Sequence, residues 1–211
     1  MSDAIRHECG LAYIRLLKPL AYYHRKYGTA FYGLNKLYLL MEKQHNRGQD
    51  GAGIASVKLN VTPGHQFMYR QRKNGAGAIA SIFQNLNGEV AEMEKMYPEI
   101  RQYPGLMKGY MPFMGECLMG HLRYGTQGKN DVEFCHPFLK PHINPTRNIA
   151  MAGNFNLVNT DELFQFLEAH PTTMMRESDL GGMIEMIHYF LSKADDANPE
   201  QLNIESVLQQ A

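Results

Sequence analysis

The order of apolar and polar residues along the chain predicts short strands and amphipathic helices that do not alternate regularly. Apolar runs favour strands at residues 9–16, 53–59, 67–69, 117–124 and 148–154. Apolar residues spaced by three and four favour helices at residues 34–41, 79–86 and 90–97, after a capping box at Asn159, and from Ser178 or Asp179. Since the strands cluster instead of alternating with helices, the pattern predicts an α+β fold with antiparallel sheets.

Length and chain ends suggest a domain from a longer protein. A chain of 211 residues forms one large domain or two small ones. The first predicted strand begins at Cys9, almost at the N-terminus. A last helix is expected to start at Asn198 with Pro199 in its first position, and the sequence then stops without a C-terminal capping signal. We therefore expect a cut within a longer chain.

Composition and charge exclude several classes of partner. Lysine and arginine number 21, as do aspartate and glutamate, so the net charge of zero gives no overall attraction to nucleic acid or anionic membranes. The three cysteines lack a Cys-x-x-Cys spacing, which disfavours disulfides and zinc and favours a reducing cytoplasm. Neither an export signal nor a membrane anchor is evident. A small polar metabolite is the expected ligand, and the sequence leaves homo-oligomerisation open.

Cys9 has two interpretations. A cysteine beside a glycine at the start of an apolar strand is most often a small core residue. It becomes a nucleophile if the Glu8–Cys9 bond is cut, because the new α-amino group is itself a base. Ordinary α-amino groups have a pKa of about 7.7–8.0 and ordinary thiols about 8.5, so transfer of the thiol proton costs only about 1 kcal/mol.

Three other segments carry candidate chemistry. Arg123, followed by the glycine-rich turn of Tyr124, Gly125 and Thr126, offers a planar donor for a carboxylate, although a surface arginine is the simpler interpretation. Asn154 and its neighbours form either a turn or an oxyanion hole. Asp179 stands at a helix start, where capping is its commonest role.

Cofactor and metal sites are not expected. The glycine-rich segments RGQDGAGI and NGAGA lack both the Gly-Lys-Ser/Thr ending and the dinucleotide fingerprint of nucleotide-binding loops. Cys135, His136 and His142 in CHPFLKPH offer neighbouring ligands but no fourth ligand for a metal ion. We predict neither a metal nor another cofactor.

Taken in order, six motifs resemble the class II, N-terminal-nucleophile glutamine amidotransferase domain: CGLAYI, QHNRGQDGAGIAS, GHLRYGTQG, HPF, GNFNLVNTDEL and SDLGGMIEMI. The resemblance covers residues 9 to about 190. It implies a four-layer αββα sandwich of two antiparallel sheets. It also implies a propeptide at residues 1–8 and an amidotransferase domain at residues 9–211.

The resemblance implies a role for each candidate residue. Cys9, freed by cleavage after Glu8, would attack the side-chain amide of glutamine, form a thioester and release ammonia. The remaining roles would be carboxylate binding by Arg123, ammonium binding by Asp179, a pocket wall of Tyr124, Gly125 and Thr126, oxyanion donation by Asn154 and the Phe155 amide, and ordering of the nucleophile by Arg47.

Several features qualify the implied activity. Phe155 stands where the family usually has glycine, so a positive φ there would strain it. No phosphoribosyl-pyrophosphate loop is present, so the ammonia would go to a separate phosphoribosyltransferase domain, at the phosphoribosylamine step of purine synthesis. Because residues 1–8 are retained, we expect this form to be an inactive precursor. The alternatives are the amidotransferase domain of another synthase and a catalytically silent domain that binds a metabolite or a partner.

Overall fold

A computed structural model describes residues 8–125, 131–170, 178–198 and 202–211. The chain divides into two compact units, Met1–Pro137 and Phe138–Ala211. Helices and antiparallel strands occur in both units, as the α+β prediction requires. In the part of the chain that is described, no helix is long and apolar enough to cross a membrane.

The first unit is built on a four-stranded antiparallel sheet in the order β1-β4-β2-β3. Its strands are β1 (Gly10–Arg15), β2 (Gly51–Val57), β3 (Met68–Asn74) and β4 (Cys117–Arg123). In the register, Gly10 lies opposite Leu122 and Gly51 lies opposite Arg123. The start of β1, the end of β4 and the start of β2 therefore meet at the same end of the sheet.

Four helices accompany this sheet: α1 (Leu20–Tyr27), α2 (Tyr32–Lys43), α3 (Ala78–Met96) and α4 (Pro104–Tyr110). Helix α2 buries Leu34, Leu37 and Met41, which follow the predicted spacing of three and four. These side chains belong to the same apolar core as Leu118 and Leu122 of β4. The packing of α2 on the sheet thus supports the strand that ends at Arg123.

Two sequence predictions for this unit are wrong in part: the apolar run at residues 9–16 favoured a buried strand, and residues 79–86 and 90–97 favoured two short helices. The first strand is not buried throughout, because Leu11 and Tyr13 of β1 are 51% and 57% exposed. In place of the two short helices there is one continuous helix, α3, which spans Ala78–Met96. Gly88 in its interior costs about 1 kcal/mol relative to alanine, and burial of Ile82, Leu86 and Val90 outweighs that cost.

Strands β2 and β3 pair as a hairpin, as the turn-forming segment TPGH between the predicted strands at residues 53–59 and 67–69 indicates, and β3 is longer than predicted. Two further helices, α1 and α4, lie in segments for which the sequence analysis gave no helix. Both are short, and each buries only one side chain, Leu20 in α1 and Met107 in α4. With so few buried positions, the apolar period that identifies a helix is too weak to recognise.

The second unit contains a two-stranded antiparallel sheet, β5 (Phe138–Lys140) with β6 (Ile149–Met151), and the helices α5 (Thr160–Glu168), α6 (Asp179–Ala197) and α7 (Ile204–Gln210). The predicted start of α6 is confirmed, and Ser178 is its N-cap, since Ser178 Oγ accepts a hydrogen bond from the Gly181 amide at 3.1 Å. The capping box at Asn159 is wrong, because that side chain makes no capping hydrogen bond. Helix α7 begins at Ile204, and Asn198 follows the end of α6, while Pro199, the expected first residue of the last helix, lies outside the described residues.

A buried polar network attaches β5 and the loop after it to α6. Lys140 Nζ lies 2.7 Å from a carboxylate oxygen of Glu185, and Arg147 Nε lies 2.6 Å from Asp195. His188 lies among these groups, with its ring 5.5 Å from that of His142. Burial is the main cause that lowers the pKa of His188 to about 4, and the positive charges of Lys140, His142 and Arg147 lower it further. His188 is therefore neutral at physiological pH.

Candidate active site

Cys9 lies at the end of the sheet where β1 begins and β4 ends. Its side chain is half-buried, and its Sγ accepts a hydrogen bond from the backbone amide of Tyr124 at 3.4 Å. The antiparallel register causes this contact: Gly10 pairs with Leu122, so the residue before β1 lies beside the residues that follow Leu122. The sulfur is thus held against the turn that the sequence singled out after Arg123.

Asp50 fixes the same turn from the other side. Its Oδ2 accepts a hydrogen bond from the Gly125 amide at 2.7 Å, and its own amide donates to the carbonyl oxygen of Arg123 at 3.0 Å. The Asp50 carbonyl accepts from Gly75 N at 2.9 Å, which adds the end of β3 to this contact. Asp50 therefore binds the backbone on both sides of Tyr124, the residue that contacts the cysteine sulfur.

The chain approaches β4 so closely at Gly48 that no side chain fits. A Cβ atom on Gly48 would lie 2.6 Å from the carbonyl carbon of Arg123, well inside van der Waals contact. Gly48 has φ of −150°, so the glycine is required by this approach and not by its backbone angle. Gly48 and Asp50 together hold the end of β4 from one loop.

Arg47 contacts the residue that precedes the proposed cleavage point. Its Nη2 lies 2.9 Å from Oε2 of Glu8, and both side chains are about half exposed. Arg47 belongs to a short 3₁₀ turn, His45–Arg47, which follows α2. Through Glu8, Arg47 is connected to the backbone next to Cys9, while its predicted ordering of the nucleophile remains a prediction.

Arg123 is a buried residue at the end of β4, so the simpler interpretation of a surface arginine is wrong. It is 5% exposed, donates from Nη1 to the Asp131 carbonyl at 3.2 Å, and its guanidinium carbon lies 5.7 Å from the centroid of the Phe134 ring. The neighbouring Cys135 is fully buried. Burial raises the pKa of the Cys135 thiol, and the Arg123 cation offsets part of that rise. This cysteine is thus a protonated core residue at neutral pH.

The remaining wall residues are Tyr124, Gly125 and Thr126. Tyr124 and Gly125 are exposed on the turn, and Thr126 lies outside the described residues. A role for these residues in binding a substrate remains a prediction.

In the second unit, Asn154 and Phe155 lie in an irregular loop after β6. Both are exposed, and the Phe155 side chain lies over Gly153, where a Cβ atom would come 2.3 Å from the ring. Among the described residues other than glycine, positive φ occurs only at Asn60. The backbone strain expected at Phe155 is therefore absent.

Asp179 is connected to this loop within the second unit. It is the first residue of α6, and its Oδ2 accepts a hydrogen bond from the Leu157 amide at 2.9 Å. The carboxylate thus holds the chain two residues beyond Phe155, and Leu157 is the donor that it binds among the described residues. Capping of α6 is carried out by Ser178, so the simpler interpretation of Asp179 as the cap is wrong.

Asp50 was not among the residues predicted from the sequence. Its only sequence signal is the segment RGQDG, in which an aspartate between glycines is typical of a turn. Across the described ranges, no three histidine, cysteine, aspartate or glutamate side chains are grouped so that they could hold a metal ion.

A comparison with solved structures identifies the class of the fold. A chain described as the structure of the allosteric regulatory enzyme of purine biosynthesis matches with a TM-score of 0.54 and 21% identity, over 95% of this chain and 32% of that one. The likeness confirms an α+β fold of the N-terminal-nucleophile hydrolase type, with antiparallel sheets.

Three relatives found by sequence are amidophosphoribosyltransferases. The Bacillus subtilis protein is 30% identical over 157 residues, which are 74% of this chain and 25% of that protein. The proteins of Archaeoglobus fulgidus and Homo sapiens are each 28% identical, over 75% and 76% of this chain and 27% and 26% of theirs. The chain thus spans about a quarter of the length of these relatives.

No protein-family model matches the chain. The resemblance that the motifs predicted, to the N-terminal-nucleophile glutamine amidotransferase domain of amidophosphoribosyltransferase, is confirmed by the relatives and the shared fold.

Proposed function

We propose that this chain is a glutamine amidotransferase domain that releases ammonia from glutamine through a thioester on Cys9. The observation that carries the proposal is the position of the half-buried Cys9 at one end of the sheet. Its sulfur accepts a hydrogen bond from the amide of Tyr124, the residue that follows the buried Arg123. The similarity to amidophosphoribosyltransferases supports a role in purine synthesis.

The proposed chemistry begins with removal of residues 1–8. The freed α-amino group of Cys9 accepts the thiol proton, and the thiolate attacks the side-chain carbonyl carbon of glutamine. The ammonium group then returns the proton to the departing nitrogen, so ammonia leaves and a thioester remains. Water hydrolyses the thioester to glutamate and restores the thiol. While Glu8 is attached, the Cys9 nitrogen is an amide and not a base, and loss of a general base typically costs about 10² to 10⁴ in rate.

Binding of glutamine is assigned to two charged side chains, as the motif resemblance implies. Arg123 would bind the α-carboxylate of glutamine, exchanging its neutral carbonyl partner at Asp131 for an anion, which forms the stronger hydrogen bond. Asp179 would bind the α-ammonium group with the oxygen that Leu157 does not use. Tyr124, Gly125 and Thr126 would form the pocket wall.

Oxyanion stabilisation is assigned to the loop after β6. The side-chain amide of Asn154 and the backbone amide of Phe155 would donate to the oxyanion of the tetrahedral intermediate. The negative φ at Phe155 means that this donor is presented without backbone strain.

The ammonia acceptor is proposed to be a separate phosphoribosyltransferase domain. The relatives are about four times as long as the region that they share with this chain, which leaves room for such a domain in each of them. Phosphoribosylamine, an intermediate of purine synthesis, would be the product of the combined reaction.

The proposal is tested by measuring ammonia release from glutamine with two forms of the protein, one beginning at Met1 and one beginning at Cys9. Mass spectrometry establishes each N-terminus. We expect activity only in the form that begins at Cys9, and its loss in Cys9→Ser. A glutamine analogue with an electrophilic diazoketone should label Cys9, whereas Cys117→Ser, which removes another half-buried cysteine, should change neither result. Equal activity with Met1 retained would contradict the mechanism.

A catalytically silent domain of the same fold is the second candidate, and Phe155 favours it. This residue replaces the glycine usual in the family with an aromatic ring that lies over Gly153. Failure of the form that begins at Cys9 both to release ammonia and to react with the diazoketone would establish the silent role.

A further inference from the structure

A second candidate site lies at the end of the sheet opposite to Cys9. A cavity of about 440 Å³ is lined by the β2–β3 connection on one side and by α4 on the other. We call it the hairpin cavity, and two lysines, Lys58 and Lys108, line it together with His65. Strand β2 starts at Gly51 beside Arg123 and ends at Val57, so its seven residues separate the two ends of the sheet by roughly 20 Å.

Lys58 is a buried cation without a buried carboxylate of its own. The residue is 4% exposed, and its Nζ lies 3.4 Å from the Tyr69 hydroxyl and 4.6 Å from the centroid of the Tyr69 ring. Among the described residues, none places a carboxylate within 4.0 Å of this ammonium group. Burial lowers the pKa of Lys58, the charge of Lys108 lowers it further, and Glu116 offsets only part of the change.

Glu116 is the acidic residue whose charge raises the pKa of Lys58, and both of its carboxylate oxygens already accept hydrogen bonds. Lys108 Nζ lies 2.6 Å from Oε1, and the Leu59 amide donates to Oε2 at 2.9 Å. Lys108 also donates to the Leu59 carbonyl. The cluster therefore holds two cations and one anion, and Glu116 is neutralised by Lys108 before Lys58 is considered.

The wall contributed by α4 is bare backbone at two positions. Gly105 and Gly109 stand one helical turn apart and both line the cavity. A Cβ atom added to either glycine would meet no other atom within 4 Å. The remaining wall supplies hydrogen-bonding side chains, including Asn60, Thr62 and Gln66.

We propose that the hairpin cavity binds a small anion, a phosphate or a carboxylate, with Lys58 as its principal cation and Lys108 as the second. A buried ammonium group loses its hydration, and a bound anion would return both charge compensation and hydrogen-bond acceptors. The volume lies in the range of small-molecule sites and is ample for one phosphate or dicarboxylate group with its polar partners. This inference does not depend on the proposed amidotransferase activity, because it uses none of that site's residues.

The test is calorimetric titration of the full chain with two probes, inorganic phosphate and succinate. Sodium chloride is used to keep the ionic strength constant. Lys58→Met removes the charge but keeps the length of the side chain, and Gly109→Leu fills the cavity but keeps both lysines. Lys95→Met is the matched control, because Lys95 is an exposed lysine on α3 paired only with the exposed Glu92. Circular dichroism confirms that each variant is folded.

We expect at least one probe to bind, with affinity at least about tenfold weaker in Lys58→Met and in Gly109→Leu and unchanged in Lys95→Met. Binding of phosphate alone, of succinate alone or of both supports the site and identifies the class of its anion. Hydrogen exchange should slow at residues 58–69 and 105–110 on binding. The proposal is overturned if neither probe binds more tightly than chloride, or if Gly109→Leu keeps full affinity.

Discussion

Replacement of Asp50 tests whether the turn beside Cys9 is held by this carboxylate. The Asp50 side chain makes one charge-assisted hydrogen bond, to the Gly125 amide at 2.7 Å, while its backbone bonds to Arg123 and Gly75 do not depend on the side chain. A hydrogen bond to a charged group contributes about 1.5–3 kcal/mol, and the lower end applies here because Asp50 is only half-buried and Gly125 is exposed. Asp50→Ala should therefore lower the free energy of unfolding by about 1–2 kcal/mol, and Asp50→Asn, which keeps an acceptor, by about half as much.

Replacement of Asp50 should also change the position of the nucleophile, because the turn that Asp50 holds includes the Tyr124 amide that contacts the Cys9 sulfur. A loss of about 1.4 kcal/mol in positioning corresponds to about a tenfold fall in kcat/KM for ammonia release. Urea denaturation and the glutaminase assay, both on protein that begins at Cys9, measure the two effects. Glu92→Gln is the control, since it removes an exposed carboxylate paired only with Lys95 and should change either value by less than about 0.5 kcal/mol. An Asp50→Ala protein with unchanged stability and unchanged activity would refute the positioning role.

Three further predictions concern other parts of the fold. Gly48→Ala should destabilise the protein by about 2–3 kcal/mol in urea, because its Cβ would meet the Arg123 backbone at 2.6 Å, whereas Gly88→Ala, which adds a Cβ in open space within α3, should stabilise it by about 1 kcal/mol. Stability should fall as pH decreases from about 6.5 to about 4, by up to about 3 kcal/mol, because the unfolded chain binds a proton at His188 that the folded chain, with a pKa of about 4, does not bind. His188→Leu should flatten this part of the pH profile and His24→Gln should not, and an unchanged profile in His188→Leu would show that another group is responsible. Phe155→Gly should raise ammonia release from the form that begins at Cys9, because it restores the residue usual in the family beside the Asn154 donor, and a fall in activity would contradict the assignment of this loop to the oxyanion.

The fold class could be predicted from sequence because it depends on local periodicity. Helix α2 shows the apolar spacing of a helix and β2 is a short apolar run, and both are present in the structure. Helix α3 was divided at Gly88 because a glycine weakens a helix locally, while the burial that keeps the helix continuous is a tertiary effect. The exposed face of β1 was missed for a similar reason, since its apolar Leu11 and Tyr13 give no sign of which face is covered.

The candidate site could be predicted only as a set of residues. The motif order indicated Cys9, Arg123 and Tyr124, and the structure brings the first and third into contact. Sequence could not show that Asp50 holds Gly125, because the two lie 75 residues apart and meet only through the register of β2 with β4. Nor could it show that Arg123 is buried, since glycine-rich turns usually lie at the surface.

The ion pair between Glu8 and Arg47 gives the proposed maturation an electrostatic effect in addition to its chemical one. Loss of residues 1–8 would take away the carboxylate that neutralises Arg47 and leave an ammonium group in its neighbourhood. The field around the sulfur would thus become more positive by as much as two elementary charges in a single cleavage, which favours an anionic thiolate. One peptide bond would then control both the availability of a base and the local potential in which the nucleophile works.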